Sequence, residues 1–241
     1  NGNEGNPFPA KITFTKNNWN RSQVVKIIGK DDQVDDGDKE FQIRISSSGS
    51  QDLSYKTLDH QFVTVVNEDN DTAGLITKTS KGVTHESGGK ISIPVLLSSQ
   101  PSAAVLLEIR SDNLLEGTVV NRSLTFDRSN WNVPQNIIIG GVDDVVDDGD
   151  VDYEISLTVK KSDDLRYQLL DPVSIQMKNT DDDEAGFRIV QPKGKTNEDG
   201  RTVQFDISLT SIPTEPLRVP VKSSDSSEGV VSIKFLDFDA N

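Results

Sequence analysis

The 241-residue chain has no cysteine, two histidines (His60 and His85), one methionine and two tryptophans, and aromatic residues make up only 6% of it. Without cysteine there are no disulfides, no thiolate nucleophile and no thiolate zinc site, and two histidines cannot build a multi-histidine metal centre. Any metal bound here must be held by oxygen. Basic residues are also scarce: 25 Lys plus Arg stand against 39 Asp plus Glu, giving a formal charge of -14 and a pI near 4.5. Nucleic acid and anionic membrane surfaces are therefore excluded as main partners, because both need clustered Lys and Arg. No apolar run approaches the roughly 20 residues of a spanning helix. The start, Asn1-Gly2-Asn3-Glu4-Gly5, does not read as a signal peptide. The chain is expected to be a soluble excerpt of something longer, with no membrane insertion. The lack of cysteine is compatible with cytosol and with the cell exterior.

What the chain does have is itself, twice. At an offset of 112 residues, Asn18-Trp19-Asn20 recurs as Asn130-Trp131-Asn132, and Val34-Asp35-Asp36-Gly37-Asp38 recurs as Val146-Asp147-Asp148-Gly149-Asp150. Asp69 and Asp71 before Ala73-Gly74 recur as Asp181 and Asp183 before Ala185-Gly186, and Thr84, Glu86 and Gly88 recur as Thr196, Glu198 and Gly200. One ungapped register over the whole length marks a tandem array of modules of ordinary domain size. If each module starts at Ala-Gly, residues 72–183 form one complete module, 1–71 the C-terminal part of a preceding one, and 184–241 the N-terminal part of a following one. Neither end part closes a sandwich alone. Each is expected to be continued along a longer chain, the alternative being completion in trans by another copy.

Within the central module, short segments rich in branched residues alternate at period two, punctuated by Gly, Pro, Asn, Asp and Ser. Strands are predicted near 74–80, 90–98, 104–111, 117–127 with a break near Asn121, 135–142, 151–160 and 171–179. The fold class that follows is all-β: tandem immunoglobulin-like antiparallel β-sandwiches of about seven strands. Running up and down, such strands put the turns after strands one, three and five, and the exit from strand seven, at one end. Those turns carry Glu86, Asp112, Asp143, Asp144, Asp147 and Asp148, and Asp181, Asp182 and Asp183. Carboxylates gathered within a Debye length of about 8 Å repel one another and call for a counter-charge. Ca²⁺ suits them best, since it takes six to eight hard oxygens in flexible geometry, whereas Mg²⁺ wants a small octahedral set and keeps its water. Solvated Asp-rich turns are the plainer alternative. An EF-hand loop fits poorly, because Val34 and Ile43 fall where oxygen ligands are required.

The combination of Thr84-x-Glu86-x-x-Gly, an Asp after the third strand, Asp143-Asp144 ahead of Tyr153, and Asp181-Asp182-Asp183-x-Ala-Gly resembles the Calx-beta domain family. The resemblance spans the whole central module. It implies a seven-strand sandwich with Ca²⁺ at its distal loops, and it puts Glu86, Asp112, Asp143, Asp144, Asp148, Asp181, Asp182 and Asp183 in ligand positions. Asp31, Asp32, Asp36, Asp69 and Asp71 take the corresponding places in the first module, and Glu198 in the third. Sensor members of the family carry an acid where this chain has Lys39 and Val151, which implies fewer or weaker ions here.

The remaining residues read more simply. Trp19 and Trp131 are expected to cover the sandwich edge. The sequons at Asn20, Asn70 and Asn121 are of a kind common in Asn- and Ser-rich chains. A glycosidase pair needs two carboxylates in a cleft and a serine nucleophile needs a base, whereas these acids recur with the repeat at module ends, so no enzyme is expected. The function expected is that of a calcium-binding structural repeat of a large extracellular surface, adhesin or filament protein. Its partners are neighbouring repeats and other copies in a fibre. The alternatives are a regulatory calcium sensor and a carbohydrate- or protein-binding module.

Overall fold

The computed structural model describes residues 4–47 and 49–240, so the Asn1–Asn3 stretch lies outside the described residues. The chain forms β1 (Gly5–Phe8), β2 (Lys26–Gly29), β3 (Lys39–Ile45), α1 (Leu53–Lys56) and β4 (Gln61–Asn67). Then come β5 (Leu75–Thr77), β6 (Lys81–His85), β7 (Lys90–Leu97), β8 (Val105–Ser111), β9 (Gly117–Val119), β10 (Ser123–Phe126), β11 (Gln135–Gly141), β12 (Val151–Ser162), α2 (Leu165–Gln168) and β13 (Val173–Thr180). Last are β14 (Phe187–Val190), β15 (Asp206–Leu209), β16 (Leu217–Pro220) and β17 (Phe235–Phe238).

Strands β5 to β13 build a two-layer sandwich, one sheet ordered β10-β8-β12-β13-β6 and the other β5-β7-β11-β9. Alternation in the sequence becomes alternation in burial. In β12, Tyr153, Ile155, Leu157 and Val159 point inward, and in β8 so do Val105, Leu107 and Ile109. They meet Ile93, Val95 and Leu97 of β7 and Ile137 and Ile139 of β11 in a single core, the layered packing expected when each sheet is apolar on one face. Trp131 packs against that core.

One predicted segment is broken and one strand was not predicted, so the sandwich has more strands than segments. The stretch 74–80 holds only β5, paired with β7 in one sheet; after Lys78–Ser80 the chain crosses to lay the unpredicted β6 on β13 in the other. The stretch 117–127 breaks at Val120–Arg122, with β9 on β11 and β10 on β8. The β6–β13 pairing is parallel, the others antiparallel. Gly117 sits where a Cβ would lie 2.2 Å from the Tyr153 ring, so the ring covers the backbone of β9 directly.

The end segments make two-stranded sheets, β1–β2 and β3–β4 on one side of the sandwich sequence and β14–β15 and β16–β17 on the other. Each pairing reproduces, one period away, a pairing in the sandwich. Gly5↔Gly29 matches Gly117↔Gly141, and Lys39↔Asn67 matches Val151↔Asn179. Phe187↔Leu209 matches Leu75↔Leu97, and Leu217↔Phe238 matches Val105↔Phe126. The repeat therefore holds at the level of strand register.

Gly117→Ala forces a methyl group into the Tyr153 ring, and overpacking of that kind costs about 1–3 kcal/mol; urea denaturation of the variant should show the loss, with Tyr153→Leu in the same chain recovering part of it.

Candidate metal centre

The parallel pairing of β6 with β13 positions the centre. It continues one step past the strands, where the Glu86 N–H donates to the Thr180 carbonyl at 3.0 Å, and this carries the Glu86 side chain under the end of the sandwich. Below it lies a polar network. Thr84 Oγ1 is 2.9 Å from the Tyr153 hydroxyl and donates to Asn179 Oδ1 at 2.9 Å. The Asn179 amide in turn donates to the Val142 carbonyl at 3.0 Å and reaches Glu116 Oε2 at 3.3 Å and Glu86 Oε1 at 3.4 Å.

Glu86 is 2% exposed, and its Oε2 is the one buried side-chain polar atom among the described residues that has no hydrogen-bond partner. A buried carboxylate oxygen left unpaired is costly. Burial, followed by the charges of Asp144, Asp181, Glu116 and Asp148, pushes the Glu86 carboxyl up to about 7. Oxygens of Glu86, Asp181 and Asp183 lie within 4.8 Å of one another. Burial, then the charges of Asp181, Asp182, Asp143 and Asp144, raises Asp183. Asp181 is held low instead, first by the N–H of Asp183 and then by that of Gly149, which donate to it at 2.7 Å each. Among the described residues, no Lys or Arg forms an ion pair with Glu86, Asp143, Asp144, Asp148 or Asp181 to Asp183; the nearby Lys178 pairs with Asp150 and Asp152. An unpaired buried oxygen, converging carboxylates and no basic partner make a donor set that fits a hard divalent cation.

The predicted residues divide. Glu86, Asp181 and Asp183 form the cluster, and Asp143, Asp144, Asp148 and Asp182 lie close enough to raise the carboxyls of Glu86 or Asp183. Asp144 also closes its own turn by accepting from the Val146 N–H at 2.8 Å. Asp112 accepts from the Glu154 N–H of β12 at 2.7 Å.

The first module repeats the arrangement. Asp69 accepts from the N–H groups of Gly37 at 2.6 Å, Asp36 at 2.9 Å and Asp71 at 2.9 Å, and is lowered, the Asp71 N–H contributing most. Asp71 is raised by burial and then by Asp69, Asp31, Asp32 and Asp35. Asp31, Asp32, Asp36, Asp69 and Asp71 line one cleft of about 410 Å³ together with Glu4 and Asn67. Glu198 is exposed in the turn of residues 197–200.

Two pairs of residues have roles that the sequence does not announce. Glu116, 6% exposed, and Asn179, 1% exposed, support Glu86 from within. Both recur one period earlier, as Glu4 and Asn67, and that recurrence was the available signal. Asp35 and Asp147 hold the module junctions. Asp147 Oδ2 accepts from the Ala185 N–H at 2.7 Å and Asp35 Oδ2 from the Ala73 N–H at 2.8 Å. Backbone bonds accompany them, Ile212 N–H to Val145 O and Gln100 N–H to Gln33 O, again one period apart. At the first junction Arg166 of α2 also reaches Asp35, at 3.3 Å. The acidic loop between β11 and β12 thus contributes to the carboxylate cluster on one side and grips the following module on the other.

No protein-family model matches the chain, and no curated protein does. Among solved structures it is similar to the calcium binding domain CBD12 of CALX1.1, with 20% identity, 70% of this chain and 71% of that one covered, and a TM-score of 0.35. It is also similar to the periplasmic chaperone SfaE, with 8% identity, 45% and 57% covered and a TM-score of 0.35. The E. coli chaperone DraB aligns at 7% identity, with 61% and 90% covered and a TM-score of 0.35. The chain spans little more than half the length of SfaE. Likeness at this level carries no argument about function.

The pKa directions set the pH dependence of the metal-free protein. A carboxyl whose folded pKa is raised, as for Glu86 from 4.5 to about 7, contributes stability that is complete below 4.5 and lost as pH rises through 7. Asp183 acts in the same direction, whereas the lowered Asp181 and Asp69 contribute stability that is lost as pH falls below the usual aspartate range. Urea midpoints of metal-free protein should therefore fall between pH 5 and 8, and Glu86→Gln should flatten that fall.

Proposed function

We propose that this chain is a calcium-binding structural repeat of a large extracellular surface, adhesin or filament protein, in which Ca²⁺ stiffens the junctions between modules. The observation that carries this reading is the unpartnered, buried Oε2 of Glu86 at the mouth of a carboxylate cluster with no basic partner among the described residues.

Glu86, Asp181 and Asp183 would hold the ion, with Asp143, Asp144, Asp148 and Asp182 within reach of its charge. Bound Ca²⁺ supplies the positive charge that lets these acids stay ionised side by side. The protein's own part is positional. The Asn179 amide reaches both Glu86 and Glu116, and the Gly149 and Asp183 N–H groups hold Asp181. Ala185, two residues beyond Asp183, is tied to Asp147 within the same acidic loop. Ordering that loop therefore orders the junction, and repulsion within it loosens both. Binding to the folded state alone adds about 2.7 kcal/mol of stability at a hundredfold excess over Kd.

Extracellular placement is supported by calcium abundance, since millimolar calcium saturates even the weak sites of extracellular modules. No helix among the described residues is long and apolar enough to cross a membrane. Neighbouring repeats are the natural partners, because the carboxylates sit at module ends. The recurrence of the acids as scaffold-bound N–H acceptors favours a structural role over an enzymatic one.

Calorimetric Ca²⁺ titration, paired with small-angle scattering in calcium and in EDTA, tests this reading. Saturable binding with a longer, stiffer particle in calcium is expected, and Glu86→Gln with Asp181→Ala should abolish it. Absence of binding at millimolar calcium would refute it. Asn179→Ala removes the group that orients Glu86, and loss of such outer support costs about 10–100-fold in metal affinity; the same titration reads that shift.

A further inference from the structure

The two sheets of the central sandwich turn different faces outward. On the five-stranded sheet Glu108 pairs with Arg110 at 2.9 Å and with Lys160 at 2.8 Å, and Glu154 accepts from Ser174 and Gln176. That is an ordinary solvated face, with its charges paired in place. The strands of the other sheet, β5, β7, β9 and β11, contain no Asp or Glu, in a chain of net charge -14. Lys90 is the only charged residue in them.

What this acid-free face carries is an apolar stripe. Ile76 of β5 lies opposite Leu96 of β7, Pro94 is two residues back along β7, and Ile138 of β11 lies diagonally from Pro94. Val120, just past β9, stands beside Ile138, whose carbonyl accepts the Val120 N–H at 2.9 Å. Opposite and diagonal neighbours on one face of a sheet are within reach of each other, so these five side chains form one stripe across all four strands. Its ends, Ile76 and Val120, are 42% and 55% exposed, and Leu96, Pro94 and Ile138 between them are half-buried. The exposed Ser92 and Asn136 beside it are small and neutral.

The repeat shows that the fold does not require this stripe. One period later Arg188 lies opposite Ser208, where Ile76 lies opposite Leu96, and Asp206 replaces Pro94. One period earlier Lys26 replaces Ile138, paired with Phe8 in the place of Val120. The inward positions of the same strands behave otherwise: Leu75, Val95, Leu97, Ile137 and Ile139 correspond to Phe187, Ile207, Leu209, Val25 and Ile27. Apolarity is kept wherever the core needs it and is lost at all but one of the outward positions. The stripe is therefore particular to the central module and has no scaffold role, and an exposed apolar patch of that kind marks an interaction surface.

We propose that this face binds the same face of a second copy of the chain, stripe against stripe about a twofold axis, so that two chains lie side by side. Charge selects the occupant. Two chains of net charge -14 repel wherever their carboxylates meet, and the four-stranded face is the sheet surface on which both copies approach without an acid on either strand set. Identical patches related by a twofold axis are self-complementary. Two sheets pack face to face about 10 Å apart with their side chains interdigitating, as the inner faces of a sandwich do. Four strands about 4.8 Å apart, each about seven residues long at about 3.3 Å per residue, bound the face at roughly 400 Å² per copy. That is about half of the roughly 800 Å² per partner of a standard interface, so the contact is weak and reversible.

The test uses the whole chain in EDTA, so its outcome does not depend on the calcium reading. Sedimentation equilibrium at rising concentration should show monomer passing to dimer. Added salt should strengthen the dimer, because screening removes repulsion between the acidic copies and leaves the apolar contact intact. Ile76→Arg, Leu96→Ser and Ile138→Lys together install the residues that the neighbouring modules carry at these positions; dimerisation should be lost while the melting of the sandwich is kept. Ser123→Lys with Thr158→Lys adds the same charge on the five-stranded face, on either side of Glu108, and should leave the dimer in place. In NMR spectra of the unmodified chain, concentration-dependent amide shifts should map to β5, β7, β9 and β11, a readout that needs no variant to fold. A monomer at every concentration and salt, a dimer that salt weakens, a dimer that the triple variant keeps, or shifts mapping to the five-stranded sheet would each overturn the proposal. So would a monomer that floats with phosphatidylcholine vesicles through these residues, which would assign the face to lipid.

Discussion

A carboxylate buried against other carboxylates has to be neutralised, and Glu86 is in that position. Its place is fixed by the parallel run of β6 along β13, by the Asn179 amide and by the Glu86 N–H bond to Thr180. None of these can move without opening the sandwich end. The acid at its tip therefore has two ways to exist: protonated, as burial and its neighbours drive it to be, or ionised against a cation. A cation bound there would compete with the proton for one oxygen, and its affinity would then depend on pH.

The same acids do mechanical work. Asp35 and Asp147 are one residue each from the acids that sense the cluster, yet they bind the backbone of the following module at Ala73 and Ala185. Charge balance on one face of the β11–β12 loop and grip on the other are consequently linked through a few residues of backbone. The two junctions share these bonds, and at the first of them Arg166 also reaches Asp35.

Much of this was legible in the sequence. The repeat and the all-β class follow from the 112-residue offset and from period-two alternation, and three acids named from the sequence, Glu86, Asp181 and Asp183, come within 4.8 Å of one another. Less legible were details decided by tertiary contact. Strand β6 follows the predicted stretch 74–80 unannounced, because its partner is the distant β13. The hydrogen bond from the Glu154 N–H to Asp112 is likewise not readable from sequence. Glu116 and Asn179 lie far from each other and from Glu86 in sequence, and only the stacked ends of β9 and β13 join them. Asp147 reads as one more acid in an Asp-rich turn until the Ala185 N–H is seen pointing at it.

The most direct test of the central claim is a crystal structure of the chain grown in millimolar calcium, with anomalous differences collected to identify the ion. The account predicts an anomalous peak within the about 2.3–2.6 Å bonding range of Ca²⁺ from Glu86 Oε2 and from oxygens of Asp181 and Asp183, beside an ordered Asp147–Ala185 bond. A Glu86 carboxyl capped by water or by another side chain, with no anomalous peak at the cluster, would contradict it.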